Sequence, residues 1–116
     1  MVTTLDNNKI ELITYAYERA FDENIDPKMM IRIVYCESQW EEKAKGDFRI
    51  ETGEYMANGI AQFWQKTWDK YSEKYKIKGQ YKDPRSQLLL MSIMFGREKE
   101  GWRHWYNCGK SIGHLK

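Results

Sequence analysis

The segment from Leu88 to Phe95 constrains the fold of this chain more than any other feature. It carries apolar side chains and one serine, so a helix formed here would be apolar on every face. Asp83 and Pro84 precede it as an N-cap followed by proline at the first helical position, and Gly101 follows it. Such a helix must be covered by other elements. The sequence therefore predicts an all-α domain packed around one buried central helix.

Periodicity and capping signals predict three further helices around that segment. In the first, Ile10, Ile13, Tyr17 and Ala20 recur at helical spacing after Asp6, a candidate N-cap. The predicted helices span residues 6–21, 27–40 and 65–76. With 116 residues, the chain is expected to form a single domain, 1–116.

The stretch between the second and third helices has a different character. From Glu41 to Asn58 the helical periodicity is lost and glycines mark turns. Ile50, Thr52 and Tyr55 would suit a short β-hairpin there. A short helical turn is expected directly afterwards, over residues 60–63.

Glu37 occupies an unusual place for a carboxylate. Met30, Ile33, Val34 and Glu37 fall at i, i+3, i+4 and i+7, so all four share one face of the second helix. Partial burial disfavours the charged form and raises the pKa of a carboxyl group, which then can act as a general acid near neutral pH. The alternative is a helix-end residue that turns to solvent or pairs with a lysine or arginine. The helix alone leaves both open.

Composition and net charge limit which classes of binding partner this chain is expected to have. The net charge of +2, from 19 basic and 17 acidic residues, is too balanced to argue for nucleic acid. No stretch approaches about 18 uninterrupted apolar residues, so no membrane span is expected. Residues 1–11 lack the pattern of a secretory signal. Aromatic residues make up 15% of the chain and would either fill the core or line a groove for a ligand with apolar faces, such as a sugar.

Cys36 and Cys108 are the two cysteines of the chain. Their spacing is compatible with one disulfide or with two buried thiols. A zinc site would have to add His104 and His114, without any paired short-spacing ligand motif. No metal and no cofactor is therefore expected.

Three motifs occur in a fixed order: Glu37–Trp40, then Asn58–Phe63 with Thr67–Trp68 beyond it, then Trp105–Gly109. Together they resemble the lysozyme-like superfamily, specifically the soluble lytic transglycosylase domain, over roughly residues 27–109. The resemblance implies that Glu37, followed by Ser38, is the catalytic acid/base. It also implies substrate contacts in the sugar groove and beside the acid. The implied substrate-binding residues are Ser38, Gln62, Phe63, Trp64, Trp105, Tyr106 and Asn107.

A second resemblance concerns the cysteines. Cys36-Glu37, the Gln62-Phe63 pair and Trp105 three residues before Cys108 are similar to the resuscitation-promoting-factor-like domains. In such domains the two cysteines pair, which implies a Cys36–Cys108 disulfide here. This alignment places residues 105–109 differently from the first one.

The implied activity is cleavage of the β-1,4 bond between N-acetylmuramic acid and N-acetylglucosamine in peptidoglycan glycan strands. Asp47, Glu51 and Glu54 are candidates for a second carboxylate, which a hydrolytic lysozyme or chitinase would need and a lytic transglycosylase would not. A non-catalytic wall-binding, phage-tail or secretion-apparatus module is the remaining alternative. The protein is expected to be a monomer and to act in the periplasm, outside the cell or on a phage virion.

Overall fold

The chain folds into a mainly helical domain with one small sheet. The structure is a computed structural model and describes residues 6–113. The α-helices in that range are α1 (Asn7–Asp22), α2 (Pro27–Ser38), α3 (Gln65–Lys74), α4 (Pro84–Arg97) and α5 (Tyr106–Ser111), and Gly101–Trp105 is a 3₁₀ helix. The strands are β1 (Lys45–Arg49), β2 (Glu54–Asn58) and β3 (Phe63–Trp64).

Three helices begin where aspartate caps predict them. Asp6, Asp26 and Asp83 precede α1, α2 and α4, and Pro27 and Pro84 occupy the first position of the latter two. In each case the aspartate carboxylate accepts a hydrogen bond of 2.8–3.0 Å from a backbone N–H two or three residues later. These bonds satisfy donors that a helix start would otherwise leave unpaired.

The sheet follows α2 and precedes α3. β1, β2 and β3 are antiparallel and adjacent in that order, with Gly46 opposite Ala57 and Ala57 opposite Trp64. The predicted hairpin is present as β1 and β2. Tyr55 lies in β2, whereas Ile50 and Thr52 lie in the connecting turn. A third short strand, β3, was not predicted.

The core lies between α4 and the elements that contact it, principally α1, α3 and the 3₁₀ helix. The buried side chains of α4 are Gln87, Leu88, Leu90, Met91, Ser92, Ile93 and Met94. Leu89 and Phe95 are half-buried, and Arg85, Gly96 and Arg97 are exposed. A helix covered on every side stays a prediction.

The face of α1 that enters the core differs from the predicted one. Leu12, Ala16 and Ala20 are buried, whereas Ile10 and Tyr17 are 47% and 49% exposed. Two small alanines allow α1 to approach α2 and α4, which are its main contacts. Of the predicted stripe, Ala20 is buried and Ile13 packs half-buried against the core, so the stripe overlaps the buried face and departs from it at Ile10 and Tyr17.

Candidate active site

Glu37 lies in the last turn of α2, at the edge of the core. Met30, Ile33 and Val34, which share its face, are buried as predicted, and Glu37 itself is half-buried. Among residues 6–113, no basic side chain forms an ion pair with Glu37. Burial raises the pKa of Glu37 to about 7. The alternative of a paired helix-end carboxylate therefore does not describe this residue.

The chain reverses directly after Glu37. Ser38 is buried and its hydroxyl donates to the backbone carbonyl of Val34, 3.2 Å away. Gln39 caps α2 in the left-handed conformation, and its N–H donates to the carbonyl of Tyr35. Trp40, also left-handed, returns to the core at 4% exposure. This reversal leaves Glu37 at a helix end, with its neighbours on both sides held in place.

Gln62 fixes the turn between β2 and β3 to the base of the hairpin. Its side-chain amide donates to the carbonyls of Ala44 and Gly59 at 3.0 and 2.9 Å. At Gly46, an added Cβ would lie 2.4 Å from the side-chain oxygen of Gln62. The strand can approach this side chain so closely because residue 46 is glycine. Residues 59–62 form the turn, and Phe63 already belongs to β3.

Gln87 of α4 holds the same turn from the other side, and sequence reasoning missed it. The side chain is fully buried, and its oxygen accepts from the N–H of Ala61 at 2.9 Å. Its nitrogen donates to the carbonyls of Asn58 and Tyr81 at 3.0 and 2.7 Å. Because every polar atom of this buried amide is paired, it can stabilise the turn rather than destabilise the core. A lone polar residue near the start of an apolar segment was the only sequence signal.

The late aromatic segment is bonded to the second motif and to Cys36, the residue directly before the first motif. Cys108 of α5 forms a disulfide with Cys36, with Cα atoms 5.8 Å apart. The indole nitrogen of Trp105 donates to the carbonyl of Ala61 at 2.8 Å. The implied disulfide is confirmed, and it leaves neither thiolate for zinc. His114, the fourth member of the zinc alternative, lies outside the described residues.

A cleft of about 210 Å³ lies where the second and third motifs meet, and Glu37 is not among the residues that line it. It is lined by Gln62, Phe63, Trp64, Thr67, His104 and Trp105. Four of the six residues, Gln62, Phe63, Trp64 and Trp105, are among the expected substrate-binding residues. Phe63 is only 2% exposed, so most of its ring serves the core.

His104 also lines this cleft, although the sequence suggested for it only a role as a zinc ligand. Its imidazole makes edge contacts with Tyr71 and Trp105, with ring centroids 5.3 and 5.9 Å apart. Burial, together with the nearby charge of Lys70, lowers the pKa of His104. The neutral imidazole can donate and accept hydrogen bonds, as a polyhydroxylated ligand would require.

Tyr106 and Asn107 open α5 and are exposed. The Tyr106 ring lies 6.0 Å from that of Trp102. Among residues 6–113, neither side chain makes a hydrogen bond to Glu37, and their substrate-binding roles stay predictions.

The three candidate second carboxylates lie on the hairpin and its turn. Asp47, Glu51 and Glu54 are all exposed, and Asp47 forms an ion pair with Arg49 at 3.3 Å. None contributes to the raised pKa of Glu37, which comes from burial. Exposure, together with the ion pair in the case of Asp47, leaves these three carboxylates without a physical feature that would prepare one as a nucleophile or base.

The fold and a comparison with known protein families identify the family of this chain. A mostly helical domain with a three-stranded antiparallel sheet is compatible with a lysozyme-like fold. The family model described as "Transglycosylase SLT domain" matches residues 14–111, and the chain belongs to this family. No match was found among curated proteins or among solved structures.

Within residues 6–113, every helix is too short or too polar to span a bilayer.

Proposed function

We propose that this domain is a lytic transglycosylase that cleaves peptidoglycan glycan strands, with Glu37 as both general acid and general base. Membership of the SLT family supports a peptidoglycan glycosidase of the lytic transglycosylase type. The observation that carries the residue assignment is the position of Glu37, half-buried and unpaired, with its pKa raised to about 7 by burial.

The proposed chemistry needs one carboxyl group. Neutral Glu37 donates its proton to the glycosidic oxygen as the bond from C1 of N-acetylmuramic acid to that oxygen breaks. Positive charge then develops at C1. The Glu37 carboxylate next takes the proton of the muramic acid 6-hydroxyl, whose oxygen forms the new bond to C1. The product is a 1,6-anhydro ring, and Glu37 ends the cycle protonated.

A pKa near 7 suits a group that must serve in both steps, because neither protonation state is strongly disfavoured at neutral pH. The exposure of Asp47, Glu51 and Glu54 supports a mechanism without a second carboxylate. We therefore expect Asp47→Ala, Glu51→Ala and Glu54→Ala each to retain most of the activity.

We also propose that the enzyme works at the cell wall, in the periplasm, outside the cell or on a virion. The family supports action on the wall. The Cys36–Cys108 disulfide supports an oxidising compartment, since such bonds are rare in the reducing cytosol.

Mass spectrometry of purified peptidoglycan after digestion tests the proposal. Anhydro-muropeptides, lighter than the hydrolytic products by one water, are expected. Only reducing-end products, together with inactivation by one of the three alanine variants, would instead identify a hydrolytic lysozyme. If wild-type protein binds peptidoglycan without releasing any product, the domain is a binding module.

A further inference from the structure

We propose that the surface beside the hairpin binds the carboxylates of the peptides that peptidoglycan carries on its muramic acid residues. This inference rests on the proposed function and specifies its substrate as peptide-bearing glycan. The site consists of Lys45, Asn58 and Lys82, and is called here the lysine groove.

Three depressions, of about 220, 300 and 350 Å³, overlap at this surface. Asn58 and Lys82 line all three of them, and Lys45 lines two. The depressions therefore adjoin one another and are treated as one groove, with Lys45 and Lys82 among its lining residues.

The lysine groove adjoins the cleft that Gln62 and Trp105 line. Trp64 lines both that cleft and the depression of about 220 Å³. A muramic acid residue bound near Gln62 would carry its peptide on the lactyl group. That peptide could pass over Trp64 and reach Lys82 without leaving a concave surface.

The charges of the groove match such a peptide. Its depressions are lined by four lysines, Lys43, Lys45, Lys66 and Lys82, against two glutamates, Glu42 and Glu54. Within residues 6–113, neither Lys45 nor Lys82 forms an ion pair. Peptidoglycan peptides carry several carboxylates, and lysine side chains can bind these groups.

The backbone at both lysines is held by the fold. Lys45 lies opposite Asn58 in the β1–β2 ladder. Lys82 follows Tyr81, whose hydroxyl donates to the carbonyl of Phe63 and whose own carbonyl accepts from Gln87. Two charges on fixed backbone lose less freedom on binding than charges on a mobile loop would.

Binding to a protein that cannot turn over tests the inference separately from catalysis. The background is Glu37→Gln, and the probes are a disaccharide-peptide muropeptide, the same compound with its carboxylates amidated, and the disaccharide alone. Adding Lys45→Gln and Lys82→Gln should weaken binding of the intact muropeptide by about three- to tenfold, because each exposed charge contact is modest. Binding of the amidated compound and of the disaccharide should not change.

The matched control replaces two exposed lysines away from the groove, Lys28→Gln and Lys99→Gln. It removes the same charge and should leave all three affinities unchanged. The lysine-dependent difference should also disappear near 1 M salt, where screening acts over about 3 Å.

Equal losses for the intact and amidated muropeptides would overturn the inference, as would no loss at all. Tight binding of a poly(glycerol phosphate) that the lysines control, without muropeptide binding, would show a different anionic partner and would also overturn it. If wild-type protein cleaves no peptidoglycan, the proposed function fails, whereas this binding measurement still decides whether the groove recognises the peptide.

Discussion

The indole nitrogen of Trp105 donates a 2.8 Å hydrogen bond to the carbonyl of Ala61, which is 44 residues away in the chain. Both residues are buried, at 2% and 0% exposure. Together with the Cys36–Cys108 disulfide, this bond connects the end of α2, the turn after β2 and the late aromatic segment. The late aromatic segment is thus bonded both to Cys36, the residue before Glu37, and to the turn at Ala61.

Trp105→Phe should destabilise the domain by about 2–4 kcal/mol, because it leaves the buried Ala61 carbonyl unpaired and removes volume from the core. Chemical denaturation measures the change. Trp102→Phe is the matched control, since Trp102 is only half-buried and makes no hydrogen bond among residues 6–113. If the two variants were equally stable, the bond would contribute nothing measurable.

Glu37→Gln should keep the fold and lose at least about a hundredfold in the rate of glycan cleavage, the typical contribution of a positioned acid. In the wild type, kcat/KM should fall as pH rises above about 7, because burial raises the pKa of Glu37 to about 7 and the general acid must be protonated. Turnover measured from pH 5 to pH 9 checks both points. Wild-type rates in the variant would remove Glu37 from the mechanism.

Glu37 should also reduce stability as pH rises from about 4.5 to about 7. Its folded-state pKa of about 7 exceeds the ordinary value of 4.5, so the folded state holds the proton more tightly and the free energy of unfolding falls through that window. After allowance for remaining solvent access, the loss is on the order of 2–3 kcal/mol at pH 8. Denaturation of Glu37→Gln should match the wild type near pH 4 and exceed its stability at pH 8.

The exposed Glu18 of α1 supplies the control for that experiment. Glu18→Gln should change the free energy of unfolding by the same amount at pH 8 as at pH 4. If Glu37→Gln behaved in the same way, burial of Glu37 would carry no energetic cost.

Removal of the disulfide by Cys36→Ala with Cys108→Ala should lower the free energy of unfolding by about 4 kcal/mol, since the bond closes a loop with a sequence separation of 72. Reductant should destabilise the wild type by a similar amount and leave the double variant unchanged. An unchanged melting temperature in the double variant would contradict the prediction.

Local chemistry made part of this fold predictable. Asp26-Pro27 and Asp83-Pro84 specify helix starts because capping and a preset proline φ depend on adjacent residues. The apolar stripe beside Glu37 was also predictable, because helical spacing places residues on one face whatever the rest of the chain does. The face of α1 was predictable only in part, because packing against both α2 and α4 decides which of its residues are buried, and that packing leaves Ile10 and Tyr17 exposed.

The residues that complete the site depend on contacts between distant segments. Gln87 looks like an interruption of an apolar segment until the turn at Asn58 and Ala61 supplies its partners. The pKa of His104 is lowered by burial and by the nearby Lys70 charge, and both depend on how distant segments pack.

The sequence by itself determined where the main helices begin and that a carboxylate shares the apolar face of α2. Both follow from interactions within a few residues. Only the tertiary structure decided that Glu37 is partly desolvated and has no ion-pair partner within residues 6–113, that Cys36 meets Cys108, and that Trp64 lines both the cleft and the lysine groove. Burial, bond formation and surface shape depend on which distant segments pack together, and spacing along the chain does not specify that.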